Sequence, residues 1–107
     1  MPSRIVLLII IMVIIMGGLL LVSCGGTKID AEGLYESDCT SCHGANRQGV
    51  SRLGPALTPE SLAALSDADV RDAILNGRPG TAMTTWKGIL SPEEIDALVQ
   101  FVKHTSP

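Results

Sequence analysis

Cys39-Thr40-Ser41-Cys42-His43 is the stretch that decides how the rest of this 107-residue chain is read. Two cysteines separated by two residues, with a histidine directly after the second, form the attachment signature of c-type haem. Cysteines three apart lie about one helical turn apart, so both thiols reach vinyl-derived carbons on one porphyrin edge. The next residue then turns its imidazole under the ring. Two other chemistries use C-x-x-C. A zinc site needs more ligands, but there is no second cysteine pair and only His104 remains as a further imidazole. A thioredoxin-like dithiol sits near a βαβ pattern, and none surrounds this one.

On the amino-terminal side, Ile5 to Val22 is an unbroken run of apolar residues and glycine, preceded by Arg4. Its length suits a long signal-peptide core or a short membrane helix. Leu21-Val22-Ser23-Cys24 resembles the lipobox of bacterial lipoproteins, in which the cysteine is lipidated and becomes the new amino terminus. The alternative keeps the segment as an uncleaved anchor. Either way the positive end stays inside, and the remainder is exported and membrane-tethered, facing the bacterial periplasm or cell exterior. The three cysteines are then accounted for, two for haem and Cys24 for lipid. The expected organisation is 1–23 as lipoprotein signal peptide or membrane anchor, 24–29 as flexible tether and 30–107 as haem domain.

From Cys24 onward the chain carries seven Lys/Arg against eleven Asp/Glu, which argues against nucleic acid and leaves a protein partner open. The domain is small, with only Tyr35, Trp86 and Phe101 as aromatic residues. A haem supplies the missing apolar bulk, so the apo domain is expected to fold poorly.

Four helical segments are legible, and no strand pattern competes, so the domain is read as all-α. The first runs from about Ala31 to Thr40 behind Asp30 as N-cap. Gly44 to Leu57, rich in glycine, reads as loop. Thr58-Pro59 opens an expected short helix through about Leu65, with proline at its tolerated first position. Ser66-Asp67-Ala68-Asp69 caps a helix through Asn76 that Gly77 stops. Pro79 to Gly88 is irregular. Ser91-Pro92-Glu93-Glu94 is a capping box, and the helix behind it places Ile95, Leu98, Val99 and Val102 on one stripe.

Beyond the attachment motif, the chain resembles class I cytochrome c. Gly54-Pro55 lies twelve residues after His43, where that family has a Gly-Pro pair. The resemblance implies that the Pro55 carbonyl accepts a bond from the second nitrogen of the iron-ligating imidazole and so orients it. Tyr35, four residues before Cys39, matches the aromatic of the family's first helix, and Leu98 and Phe101 match its partners on the last. Ala31 stands where the family usually has glycine, so the crossing of these helices is expected to be slightly wider. The implied fold is four short helices around one covalently bound haem, with Cys39 and Cys42 as tethers and His43 as proximal iron ligand. Met83, the only methionine outside the leader, sits where the family places its distal ligand. A thioether favours ferrous iron and raises the potential. Trp86, three residues on, is expected to pack at the haem edge, whereas His104 reads as a surface histidine. The segment Asn76 to Met83 is also similar to small c-type cytochromes encoded alongside dissimilatory nitrite reductase.

The resemblance implies a single-electron carrier with redox protein partners and no enzymatic reaction, a candidate donor to a nitrite-reductase-type enzyme. An accessory role in haem-enzyme maturation, or a small-ligand sensor if Met83 is labile, is the alternative. Arg47, Arg52, Arg78 and Lys87 occupy the two glycine-rich loops without any acid. They are expected to form a basic rim that steers an acidic partner.

Overall fold

The computed structural model describes residues 2–17 and 25–107. The lipobox reading of Leu21 to Cys24, Cys24 lipidation included, lies outside the described residues. The helix α1 spans Pro2–Gly17, and its apolar side chains are exposed on every face. Among the described residues, no helix is long and apolar enough to cross a membrane.

The remaining helices are α2 (Ala31–Asp38), α3 (Thr40–His43), α4 (Asp67–Asn76) and α5 (Pro92–His104). No strand occurs among the described residues beyond the isolated bridges Val50–Gly54 and Lys87–Leu90, so the domain is all-α as the sequence implies. Asp30 caps α2 by accepting from the Gly33 amide at 3.0 Å. The helix breaks at Cys39 and restarts as the single turn α3, so the expected continuous helix to Thr40 is two pieces. This break places both motif cysteines and His43 on α3 and its N-cap. The capping boxes of α4 and α5 are both formed, Ser66 with Asp69 and Ser91 with Glu94.

One expected helix is absent. Residues 59–64 form successive turns, although proline stands at a helix-opening position. Thr58 and Ser61 form a reciprocal capping pair as at a helix start, the Ser61 amide donating to Thr58 Oγ1 at 3.2 Å, and the Leu62 amide donates to the Thr58 carbonyl at 3.0 Å. The Thr58 amide donates to Ser61 Oγ at 2.9 Å, and Ser61 Oγ donates to the Ala56 carbonyl at 2.7 Å. The bonds that follow reach back only three residues, Ala63 to Glu60 at 3.4 Å and Leu65 to Leu62 at 3.0 Å, so the first turn does not propagate as an α-helix. Leu62 is still buried, so the segment contributes its anchor without a helix.

The helix α5 is the centre of the packing. It lies against α2 through Tyr35 and Phe101, whose ring centroids are 5.7 Å apart. It runs antiparallel to α4, with Arg71 Nε on Asp96 at 2.6 Å toward one end and Lys103 Nζ on Asp67 at 2.9 Å toward the other. The buried apolar residues are Tyr35, Leu62, Val70, Ile95, Leu98, Val99 and Val102. Five of these seven also line a single large cavity.

Candidate haem site

That cavity, about 1630 Å³, is bounded by α3, by the loop 44–57 and by the loop 77–90. It exceeds the roughly 300–1,000 Å³ of an ordinary small-molecule site. Its lining brings together Cys39, Cys42, His43, Pro55, Met83 and Trp86, residues up to 47 positions apart in the chain. The apolar walls come from Leu57, Leu62, Leu65, Val70, Ile74, Leu90 and Leu98. A large flat apolar group carrying a metal, attached through two thiols, fits this lining.

His43 is buried, and its Nδ1 lies 2.8 Å from the Pro55 carbonyl oxygen. A carbonyl can only accept, so Nδ1 carries the proton and Nε2 keeps its lone pair. The contact is held from both sides. The Gly49 amide donates to the His43 carbonyl at 2.7 Å, and the Leu57 amide to the Arg47 carbonyl at 2.9 Å. Gly54 is required by closeness: a Cβ there would stand 2.6 Å from the Cys42 carbonyl oxygen and 2.9 Å from the His43 ring.

Cys39 and Cys42 are free thiols, both half-buried. Burial, followed by the charges of Asp38 and Cys42, pushes the Cys39 thiol up to about 11. Among the described residues no group of three His, Cys, Asp or Glu side chains is gathered to hold a metal ion, which leaves a zinc site short of ligands.

Met83 reaches the cavity from a loop clipped onto the end of α4. The Trp86 and Lys87 amides donate to the Ile74 and Leu75 carbonyls, each at 3.1 Å, and Thr85 Oγ1 donates to Leu75 at 2.6 Å. These bonds satisfy carbonyls that the helix end leaves without partners. Gly77, with φ of +71°, lets the loop fold back: a Cβ there would sit 2.8 Å from the Met83 carbonyl oxygen. The Arg78 amide donates to that same carbonyl at 3.1 Å. Trp86 is half-buried and lines the cavity beside Met83. His104 is far from this lining. It is exposed on α5 with Nε2 3.0 Å from Asp67, and so is a surface residue with an acidic partner.

The expected basic rim needs one correction. Arg52, Arg78 and Lys87 are exposed, and the first two line the cavity mouth. Arg47 is not part of it. It is 2% exposed, donating from Nη1 to the Phe101 carbonyl at 2.7 Å and from Nη2 to the Thr105 carbonyl at 2.9 Å. Its guanidinium carbon lies 4.5 Å from the Phe101 ring centroid. The missed signal was at the other end of the chain. Helix α5 ends in Thr105, extended and not glycine, so its last carbonyls need donors from elsewhere. Leu53, next to Arg52 in the chain, and Ile89, two residues after Lys87, are the large exposed apolar side chains among the described residues of the domain, at 48% and 67% exposure.

Residues 28–102 match the family described as cytochrome c oxidase, cbb3-type, subunit III. The chain is similar to the dihydro-haem d1 dehydrogenase of Pseudomonas aeruginosa, 46% identical over 76 residues that cover 71% of this chain and 15% of that protein. It is also similar to cytochrome c55X of Stutzerimonas stutzeri, 44% identical over 66 residues covering 62% of this chain and 57% of that one. It thus spans less than two thirds of the length of either. Among solved structures, the c-type cytochrome NirC superposes with a TM-score of 0.63 at 40% identity, over 68% of this chain and 84% of that one.

Proposed function

Because the chain belongs to the c-type cytochromes, in the family of cbb3-type cytochrome c oxidase subunit III, we propose that it is a single-electron carrier. It has the all-α class I cytochrome c fold and carries covalently bound haem c. The cofactor supplies an iron that alternates between ferric and ferrous. Cys39 and Cys42 would hold it through thioether bonds, and His43 and Met83 would ligate its iron. The observation that carries this reading is the Nδ1 bond of His43 to Pro55 in a cavity that Met83 also lines. A proton held on Nδ1 leaves Nε2 as the donor atom and raises its basicity.

A carrier needs ligands that stay in place in both oxidation states. The 44–57 hydrogen bonds hold His43, and the bonds of residues 85–87 to the α4 carbonyls hold the loop bearing Met83. Trp86 packs against the cofactor edge and excludes water from the Met83 side. Arg52, Arg78 and Lys87, together with Leu53 and Ile89, form the docking rim for an acidic redox protein. Domain 30–107 performs this work behind the 24–29 tether. Residues 1–23, as signal peptide with lipid on Cys24 or as uncleaved anchor, keep it at the outer face of a bacterial membrane, facing the periplasm. A nitrite-reductase-type enzyme is the proposed acceptor.

The identity to part of a dihydro-haem d1 dehydrogenase favours a second reading, in which the chain takes electrons from such a dehydrogenase during haem-enzyme maturation. Optical spectroscopy of the holo protein tests the ligand set. The weak long-wavelength ferric band of methionine–iron ligation is expected, together with slow carbon monoxide binding to the ferrous form. A high-spin spectrum with rapid carbon monoxide binding would instead make the site an open, sensor-like one. Stopped-flow kinetics then separates the two partner readings: oxidation of the ferrous protein by a nitrite-reductase-type enzyme supports the first, and reduction of the ferric protein by a dihydro-haem d1 dehydrogenase supports the second. Electron transfer should slow as ionic strength rises, and rates indifferent to salt would remove the basic rim from the account.

A further inference from the structure

We propose that Arg47 is a fixed buried charge that raises the reduction potential of the haem, in addition to fastening the His43–Pro55 loop to α5. It rests on the haem lying in the cavity beside His43.

The placement comes first. Arg47 follows His43 by four residues, and its amide donates to the Gly44 carbonyl at 3.0 Å. That same carbonyl accepts from the Tyr35 hydroxyl at 2.7 Å. The guanidinium stacks on Phe101, Phe101 packs on Tyr35, and Tyr35 lines the cavity. The cation is therefore one aromatic ring removed from the cavity wall, on the His43 side.

Its chemistry comes second. The guanidinium of an arginine is a permanent cation in proteins, so the charge at Arg47 is a fixed one. Among the described residues the salt bridges engage Arg71, Lys103 and His104 but not Arg47. Burial of an unpaired cation is costly, and here two carbonyls at the negative end of α5 and the face of Phe101 offset the cost. None of these neighbours carries a full negative charge. Arg47 also holds a φ of +56°, a conformation unfavourable to a long side chain. An apolar residue of similar volume would fill the space without the desolvation.

When one electron enters from the redox partner, ferric iron becomes ferrous and the site loses one unit of positive charge. A nearby fixed cation disfavours the ferric state, and the protein interior screens the interaction far less than surface water does. The effect is set by burial and is independent of the exposed rim at Arg52, Arg78 and Lys87.

The test is the midpoint potential of the full-length holo protein with R47K, R47Q and R47M. R47Q keeps an amide donor for the α5 carbonyls, so a neutral variant remains available if R47M does not take up haem. The neutral variants should move the ferric–ferrous equilibrium about tenfold toward ferric, a drop of about 59 mV for one electron. R47K should stay within about twofold of the wild type, although it melts earlier. The shift should persist at high salt. Neutral variants that lose thermal stability but keep the wild-type potential would overturn the proposal, as would R47K shifting as far as R47Q. The ligand assignment is read separately from the wild-type spectrum, so its failure does not imitate failure here.

Discussion

Gly54 shows how a single residue governs the site. The His43 ring and the Cys42 carbonyl both approach its Cα so closely that no side chain fits. Gly54→Ala must push either the ring or the 44–57 loop, because the contacts are backbone and a ring held by Pro55. Overpacking of this kind costs about 1–3 kcal/mol. The holo variant is expected to melt several degrees lower and to lose intensity in its methionine–iron band, as the imidazole turns away from Pro55. An unchanged spectrum with an unchanged melting temperature would show that the ring has room. The sequence marks this position only as the Gly half of a Gly-Pro turn. The reason for glycine, an approach between residues 42, 43 and 54, appears once the loop is closed.

At the scale of elements, the caps carry both of the longer domain helices. Ser66 and Ser91 each accept from the third helical amide, at 3.1 Å in both cases, and the acids at those positions reach back to the cap. Ser66→Ala and Ser91→Ala should each cost about 1 kcal/mol. For a domain of this size that is a fall of roughly 4–8 °C in Tm, read by thermal denaturation of the holo protein.

The pairing of α4 with α5 has its own pH signature. Lys103 and His104, bonded to Asp67, hold its carboxyl down at about 2, against an ordinary value of 3.8. A depressed carboxyl stabilises the fold above its unfolded value and loses that contribution as pH falls through its folded one. Asp67→Asn should therefore lower Tm slightly at neutral pH, with the difference from the wild type disappearing between about pH 4 and pH 2. The carboxylate is exposed, so the effect is small. A difference that persists unchanged at pH 2 would assign the loss to something other than this charge.

Over the whole molecule, the core and the cofactor site are largely the same surface. Five of the seven buried apolar side chains, Tyr35, Leu62, Val70, Leu98 and Val102, line the cavity. The haem therefore supplies the packing partner of most of the core. A domain of this size has little other apolar area to bury. Haem-free protein, made by replacing both motif cysteines with alanine, should show no cooperative thermal transition, while the holo protein melts in one step. A sharp apo transition near the holo Tm would mean that α2, α4 and α5 form a sufficient core alone.

Much of this was legible in the linear chain because the signals are local. Haem attachment at Cys39, Cys42 and His43 needs only their spacing, and the caps at Asp30, Ser66 and Ser91 need only the residue three or so places on. The all-α character follows from helical spacing of apolar residues in α5. Local rules misjudged residues 58–65, because the start signals of Thr58, Pro59 and Ser61 open a first turn whose later bonds, Ala63 to Glu60 and Leu65 to Leu62, reach back only three residues. They misjudged Arg47 for a different reason. A cation in a glycine-rich loop reads as solvated until the carbonyls of Phe101 and Thr105, more than fifty residues away, come into reach. The sequence by itself determined the cofactor chemistry and the capped helices α4 and α5, which depend on neighbours within a few residues, and its resemblance to class I cytochrome c pointed to Pro55 as the partner of His43. Only the tertiary structure decided which glycines must lack a side chain and which cation is buried, because each is a meeting of distant segments that no local spacing encodes.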